Sequence, residues 1–267
     1  MLLRLRTDVR EMLAEMLEYR ELLYSMARRD LLLRYKQTAM GFAWAFFMPV
    51  LNMIIFSVIF TRVTKLNVNV PYPIYAYAGL LPWSFLASSL RFSVISLTGN
   101  IPLVTKVYFP REVFPFAAIL VSLVDFAVGA TFLAALMVYY GIGVSWAILF
   151  LPVVLLVQVV FIAGMALLLS MSNLYFRDVK YIFEVVVTVW MFATSVVYPV
   201  QSIGGRLGAI LALNPMTPII EAYRAVLLHG TLPDPEPFLL AAALSCVVFA
   251  VGWLTFHRAE FQFAERI

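Results

Sequence analysis

The residues able to do chemistry are few, and most stand in the wrong company for catalysis. The 267-residue chain carries one cysteine, Cys246, and two histidines, His229 and His257. A lone cysteine inside an apolar run offers no disulfide and no metal cluster. There is no Gly-Lys dipeptide, hence no phosphate-cradling loop, and neither HExxH nor GxSxG occurs. What remains is a set of ionisable groups embedded in apolar sequence: Arg91, Asp125, Glu184, Glu221 and Arg224. A charge in such a place is costly, faces the protein interior and takes a partner. For Asp125 the expected cation is Arg91, whose long stem can snorkel, with the shallower Glu184 competing for it. That contact reads as structural. Glu221 and Arg224 stand three apart, on one helical face, where they can satisfy each other. Only Asp125 or Glu221 could supply the acid or base of a membrane-embedded transferase acting on a lipid-linked sugar. The chain is therefore expected not to be an enzyme and to hold no metal and no cofactor.

A second group of charges lies in short polar breaks. The first is Asn100 to Pro115, NIPLVTKVYFPREVFP, with Lys106, Arg111 and Glu112 held between Pro102, Pro110 and Pro115. A segment so short and so rich in proline is a rigid knuckle with one small helix-sized piece. The second break is Asn173 to Lys180, NLYFRDVK. Such loops serve as plain charged turns or as elements that a soluble partner pushes on.

These residues are positioned by long apolar elements. The chain is 63% hydrophobic and 13% charged, with mean hydropathy +0.94. A soluble domain is closer to half apolar and a quarter charged, so this is a polytopic membrane protein. Residues 8–37 form an amphipathic helix, with Val9, Met12, Leu13, Met16, Leu22, Leu23 and Met26 recurring at spacings of three and four. Its basic end, Arg28, Arg29, Arg34 and Lys36, suits the membrane interface. Six spans follow, at 39–61, 74–97, 116–140, 146–170, 181–200 and 238–256. A span needs about 20 residues. Residues 201–230 contain two apolar pieces too short to cross, broken by Asn214, Pro215 and Pro218. They form a re-entrant hairpin. The N-terminus lacks an apolar leader core, so the first span is expected to direct insertion itself. With the N-terminus inside, fourteen of the nineteen lysines and arginines fall on the cytoplasmic side. Both termini are therefore expected in the cytoplasm. The fold class is all-α, one transmembrane domain spanning 1–267.

Three ordered motifs carry a resemblance that covers nearly the whole chain. KVYFPREVFP at Lys106–Pro115, NLYFRDVKY at Asn173–Tyr181 and NPMTPIIEAYR at Asn214–Arg224 resemble the signatures of the membrane permease of type-2 ABC exporters that move polysaccharides or polyol phosphates. The importer-type Glu-Ala-Ala signature is not visible. The resemblance implies the transmembrane subunit of an ATP-driven exporter of a lipid-linked glycan, such as O-antigen or teichoic acid. It implies a homodimer bound to two copies of a separate ATPase, which holds the ATP and magnesium, in a bacterial cytoplasmic (inner) membrane. Membrane lipid is a partner and nucleic acid is not. ATP energy would enter through 100–115 and the interface helix, with Lys106, Tyr108, Phe109, Arg111, Glu112, Arg28, Arg29 and Asp30 in contact with the ATPase. Asn214, Glu221 and Arg224 would form an outer gate. Sugar rings stack on aromatic planes, and Trp44, Phe46, Trp190 and Tyr198 are the candidates to line a glycan path, although belts and packing account for most aromatics. A drug or lipid exporter is the alternative within the same class.

Overall fold

The computed structural model describes residues 18–36, 38, 41, 43–63, 70–106, 109–199 and 214–260. Among them there is no strand. Nine helices are labelled in chain order: α1 Arg20–Tyr35, α2 Ala43–Val58, α3 Tyr72–Ser96, α4 Ile101–Lys106, α5 Val113–Tyr139, α6 Leu151–Tyr175, α7 Val179–Phe192, α8 Met216–Arg224 and α9 Pro235–Glu260. A wider turn prolongs α2 through Val63 and another prolongs α8 through His229. A tight turn at Trp146–Phe150 leads into α6.

Helix α3 is the central post. It starts behind Pro71 and Pro73, which suit a first turn where backbone donors lack partners anyway. Its apolar residues are confined to no single face, and it is 67% buried in its most apolar window, against 22–33% for the other long helices. A helix of that kind belongs inside. Helices α2, α5, α6, α7 and α8 pack around it.

The closest helix pair is α6 with α9, and glycine makes it possible. A Cβ on Gly164 would lie 2.6 Å from the Phe249 backbone, and one on Gly252 would lie 2.5 Å from the Gly164 carbonyl oxygen. Small residues that let backbones touch are the usual contact between apolar helices in lipid, where hydrophobic burial gives no drive. Gln158, fully buried in α6, ties three helices together. Its Nε2 donates to the Pro82 carbonyl of α3 at 2.7 Å, and its Oε1 accepts from the Tyr223 hydroxyl of α8 at 2.8 Å.

Four helical stretches are long and apolar enough to cross a membrane: Tyr72–Ser96, Val113–Tyr139, Trp146–Tyr175 and Pro235–Glu260. A shorter apolar helix lies at Phe47–Thr61. The expected fifth span, 181–200, is not one continuous helix. Helix α7 has 14 residues, about 21 Å of rise, and stops at Phe192. Residues 193–199 are irregular, and Thr194 through Val197 are buried. The first arm of the expected hairpin, 201–213, lies outside the described residues.

The N-terminal helix packs along α5. Met26 joins Leu97, Val104, Phe109, Phe114 and Phe256 in a second core cluster at the knuckle end. Its last turn reaches Asp125, about 18 Å along α5 from Val113.

Candidate functional site

Two clusters at opposite ends of α3 hold the charged groups. The first joins α1, the knuckle and α9. Arg34 and Tyr35 both donate to the Asp125 carboxylate, and the Arg34 guanidinium lies 3.7 Å from the Phe92 ring centre. Burial, and next the hydrogen bond to Asp125, push the Tyr35 hydroxyl up, so it stays a neutral donor. Asp125 is thus paired with the interface helix. The expected cation, Arg91, instead forms a two-pronged pair with Glu184, at 2.6 and 2.9 Å, on a half-exposed surface between α3 and α7. Fork-on-carboxylate geometry neutralises both charges at little entropic cost. Arg29 bonds Asp30 at 2.9 Å and the Asn100 side chain at 2.9 Å, so α1 grips the knuckle directly. Arg28 is exposed.

Within the knuckle, α4 is the short piece expected between the prolines. Arg111 and Glu112 were expected to meet a partner protein. Both are buried and face groups of this chain. The Arg111 backbone amide and Nη1 donate to Glu260 Oε1 at 2.9 and 3.2 Å, and Nη2 approaches the Val104 carbonyl at 3.4 Å. Glu112 Oε1 lies 3.4 Å from His257 Nδ1. The reason is the return of α9, whose polar end sits over the knuckle. Phe109 is buried against Phe114, with ring centres 5.4 Å apart. Tyr108 and the side chain of Lys106 lie outside the described residues.

Between α1, α2, α3 and α5 is a cavity of about 630 Å³, within the usual range for a ligand cleft. Arg34, Tyr35, Trp44, Trp83, Arg91 and Asp125 are among its walls. Of the proposed path residues, Trp44 borders this cavity. Trp190 does not. Its ring packs edge-on against Trp83 at 5.7 Å, and its Nε1 donates to Asn214 Oδ1 at 3.1 Å. Tyr198 is partly buried, with its hydroxyl on the Phe192 carbonyl. The side chain of Phe46 lies outside the described residues.

The second cluster surrounds the break after α7. Irregular backbone at membrane depth survives only where protein satisfies it, and here each carbonyl from Phe192 to Val197 accepts a bond. Arg224 covers two of them. It is 1% exposed; Nη1 donates to the Ser195 carbonyl at 2.7 Å and Nη2 to the Val196 carbonyl at 2.6 Å. Nη1 also meets Glu221 Oε1 at 2.9 Å, the i,i+3 pair expected from sequence, and the guanidinium stacks 3.7 Å over Tyr75. Asn214 covers the Ala193 carbonyl at 2.9 Å, and the Tyr72 hydroxyl covers Val197 at 2.7 Å. Gly79 of α3 makes room, since a Cβ there would lie 2.3 Å from the Val196 oxygen and 2.5 Å from Arg224 Nη2. Asn214, Glu221 and Arg224 therefore lie together around one broken helix.

Comparison with known proteins fits this architecture. The ABC-2 type transporter family matches residues 21–228, most of the chain. The chain belongs to that family. The ABC-2 permease is 33% identical over 255 residues to the O-antigen export system permease protein RfbA of Myxococcus xanthus, covering 95% of this chain and 98% of that protein. It is 27% identical over 248 residues to a protein of the same name from Klebsiella pneumoniae, covering 92% of this chain and 94% of that one. It is 20% identical over 237 residues to the polysialic acid transport protein KpsM of Escherichia coli, covering 87% and 91%. The matched region takes in α1, the knuckle and the Arg224 cluster, and leaves α9 outside. Several residues that matter in these clusters were not singled out from sequence: Tyr35, Gln158, Ser195 and Glu260. Gln158 had a signal, being a lone amide in an apolar run. Ser195 had none that distinguishes it from other small residues.

Proposed function

We propose that this chain is the transmembrane subunit of an ATP-driven exporter that moves a lipid-linked polysaccharide or polyol phosphate polymer out of the cytoplasm. The observation that carries the reading is the match along nearly the full length to O-antigen export permeases. The chain works as a homodimer with two copies of a separate ATPase that binds ATP and magnesium. It crosses the bacterial inner membrane six times with both termini in the cytoplasm. On this reading α2 with its prolonged turn is the first crossing. Helix α7 with the irregular run after it is the fifth, and the Arg224 cluster faces outward. The exposed apolar faces of α2 and α7 meet lipid or the second copy. The knuckle and α1 receive the push of the ATPase, with exposed Arg28 a direct contact and Arg111 and Glu112 acting from within. The Asp125 contact passes movement of α1 into α5. Coupling travels through packed and hydrogen-bonded elements of this kind. The aromatic wall of the cavity at Trp44 and Trp83 suits the sugar part of the substrate.

Deleting this chain in its own host tests the reading. Lipid-linked glycan is then made but stays at the inner leaflet, and surface glycan returns when the chain is supplied on a plasmid. Normal surface glycan in the deletion strain would overturn the reading. Loss of glycan synthesis itself would point to a transferase. Orientation is checked by replacing Cys246 with serine and placing a cysteine at Ala264. Labelling of that cysteine by an impermeant thiol reagent on intact cells would refute a cytoplasmic C-terminus.

A further inference from the structure

Where the knuckle meets the end of α9, three groups of metal-ligating type converge: Glu112, His257 and Glu260. We infer that they form a binding site for one divalent transition-metal ion, zinc being the best chemical match, which ties the knuckle to the last helix. The inference goes beyond the export reading and holds whatever the substrate is.

The geometry is close to what zinc needs. His257 Nδ1 lies 3.4 Å from Glu112 Oε1 and 3.8 Å from Glu260 Oε2. The three ligand atoms all lie within 4.8 Å of one another. Around a tetrahedral zinc with bonds of about 2.0–2.1 Å, ligand atoms sit about 3.3 Å apart. The two His257 distances need shifts of a few tenths of an ångström, and the carboxylate oxygens, which lie within 4.8 Å of each other, close by up to about 1.5 Å when the ion enters. One imidazole and two carboxylates form a donor set that zinc favours, leaving a fourth position for water.

A second observation points to a cation. Glu112 is 2% exposed, and its Oε2 accepts no hydrogen bond among the described residues. A buried carboxylate with an unmet oxygen is expensive. Two carboxylates are buried here side by side against one guanidinium, and a metal ion would balance the excess negative charge. Arg111 does not compete for the same atom. It holds Glu260 through Oε1, by its amide at 2.9 Å and Nη1 at 3.2 Å, and so leaves Oε2 turned toward His257. Outer-shell bonds that aim a ligand in this way are typical of metal sites.

The test uses the full-length chain, purified with a tag free of histidine, stripped with a chelator and titrated with zinc chloride. Bound metal is counted by mass spectrometry after desalting, and cobalt(II) absorption reports the coordination. We expect about one ion per chain, the visible bands of a tetrahedral nitrogen and oxygen site, and a raised melting temperature. His257→Gln should weaken binding at least tenfold, as should Glu112→Gln. His229→Gln, at an exposed histidine outside the cluster, should change nothing. If Glu112→Gln does not fold, His257→Gln still decides, because that side chain is partly exposed. Binding well below one ion per chain would overturn the site, as would equal binding by folded His257→Gln.

Discussion

Replacing Arg224 by methionine should destabilise the chain by about 2–4 kcal/mol. The figure comes from what the guanidinium does. It supplies the hydrogen bonds to the Ser195 and Val196 carbonyls at 2.7 and 2.6 Å. Both are buried, and each buried acceptor left unmet costs about 1–3 kcal/mol. The stacking on Tyr75 adds about 1 kcal/mol. Glu221 adds little, because it is partly exposed and keeps the Ser195 hydroxyl at 2.6 Å. The sum is trimmed because a chain unfolded within lipid or detergent finds other partners. Arg224→Lys should lose about half as much. An ammonium keeps the charge but cannot bridge two carbonyls with the fixed spacing of a planar fork. The assay is reversible unfolding of the purified chain in mixed micelles, followed by circular dichroism. A methionine variant within about 0.5 kcal/mol of the parent, or a lysine variant equal to arginine, would refute the claim that Arg224 holds the broken helix.

Asp125→Asn should free the last turn of α1, since it removes the charge that Arg34 meets while keeping an acceptor for Tyr35. Hydrogen exchange in α1 should rise at least tenfold, matching the loss of about 1.5–3 kcal/mol for a bond to a charged group, and unchanged exchange would count against the docking. Gly164→Leu should cost at least about 1–3 kcal/mol by forcing α6 and α9 apart, whereas Gly143→Ala, with nothing within 4 Å of its Cβ, should be neutral. Equal behaviour of the two in thermal unfolding would contradict the close crossing. Arg28→Glu should lower stimulation of the partner ATPase by the permease without affecting membrane insertion, and full stimulation would remove α1 from the coupling surface.

Much of this arrangement is legible in the residues themselves. The long apolar helices follow from composition and length, and the knuckle follows from three prolines around a short polar run. The Glu221–Arg224 contact follows from helical spacing alone. The partner of Asp125 does not, because Arg34 lies 91 residues away and in an element that reads as interfacial. Arg91 looked the better match because it stands within a span and has a long stem able to snorkel. The break after Phe192 is hidden for a different reason. From Tyr181 to Tyr198 no proline or glycine interrupts the apolar sequence. The helix ends there because Arg224, Asn214 and Tyr72 offer its carbonyls partners, a tertiary cause that local sequence does not carry. Arg111 and Glu112 likewise read as surface charges until the end of α9 is folded over them.

The central claim is that this chain carries a glycan across the membrane under ATP power. Inverted membrane vesicles from cells holding the permease and its ATPase test it most directly. Export then moves lipid-linked glycan into the lumen, out of reach of an added glycan-degrading enzyme. The account predicts that protection rises with ATP, requires this chain, and disappears when the ATPase cannot hydrolyse. Protection that is the same with and without the chain, or that ignores ATP, would contradict it.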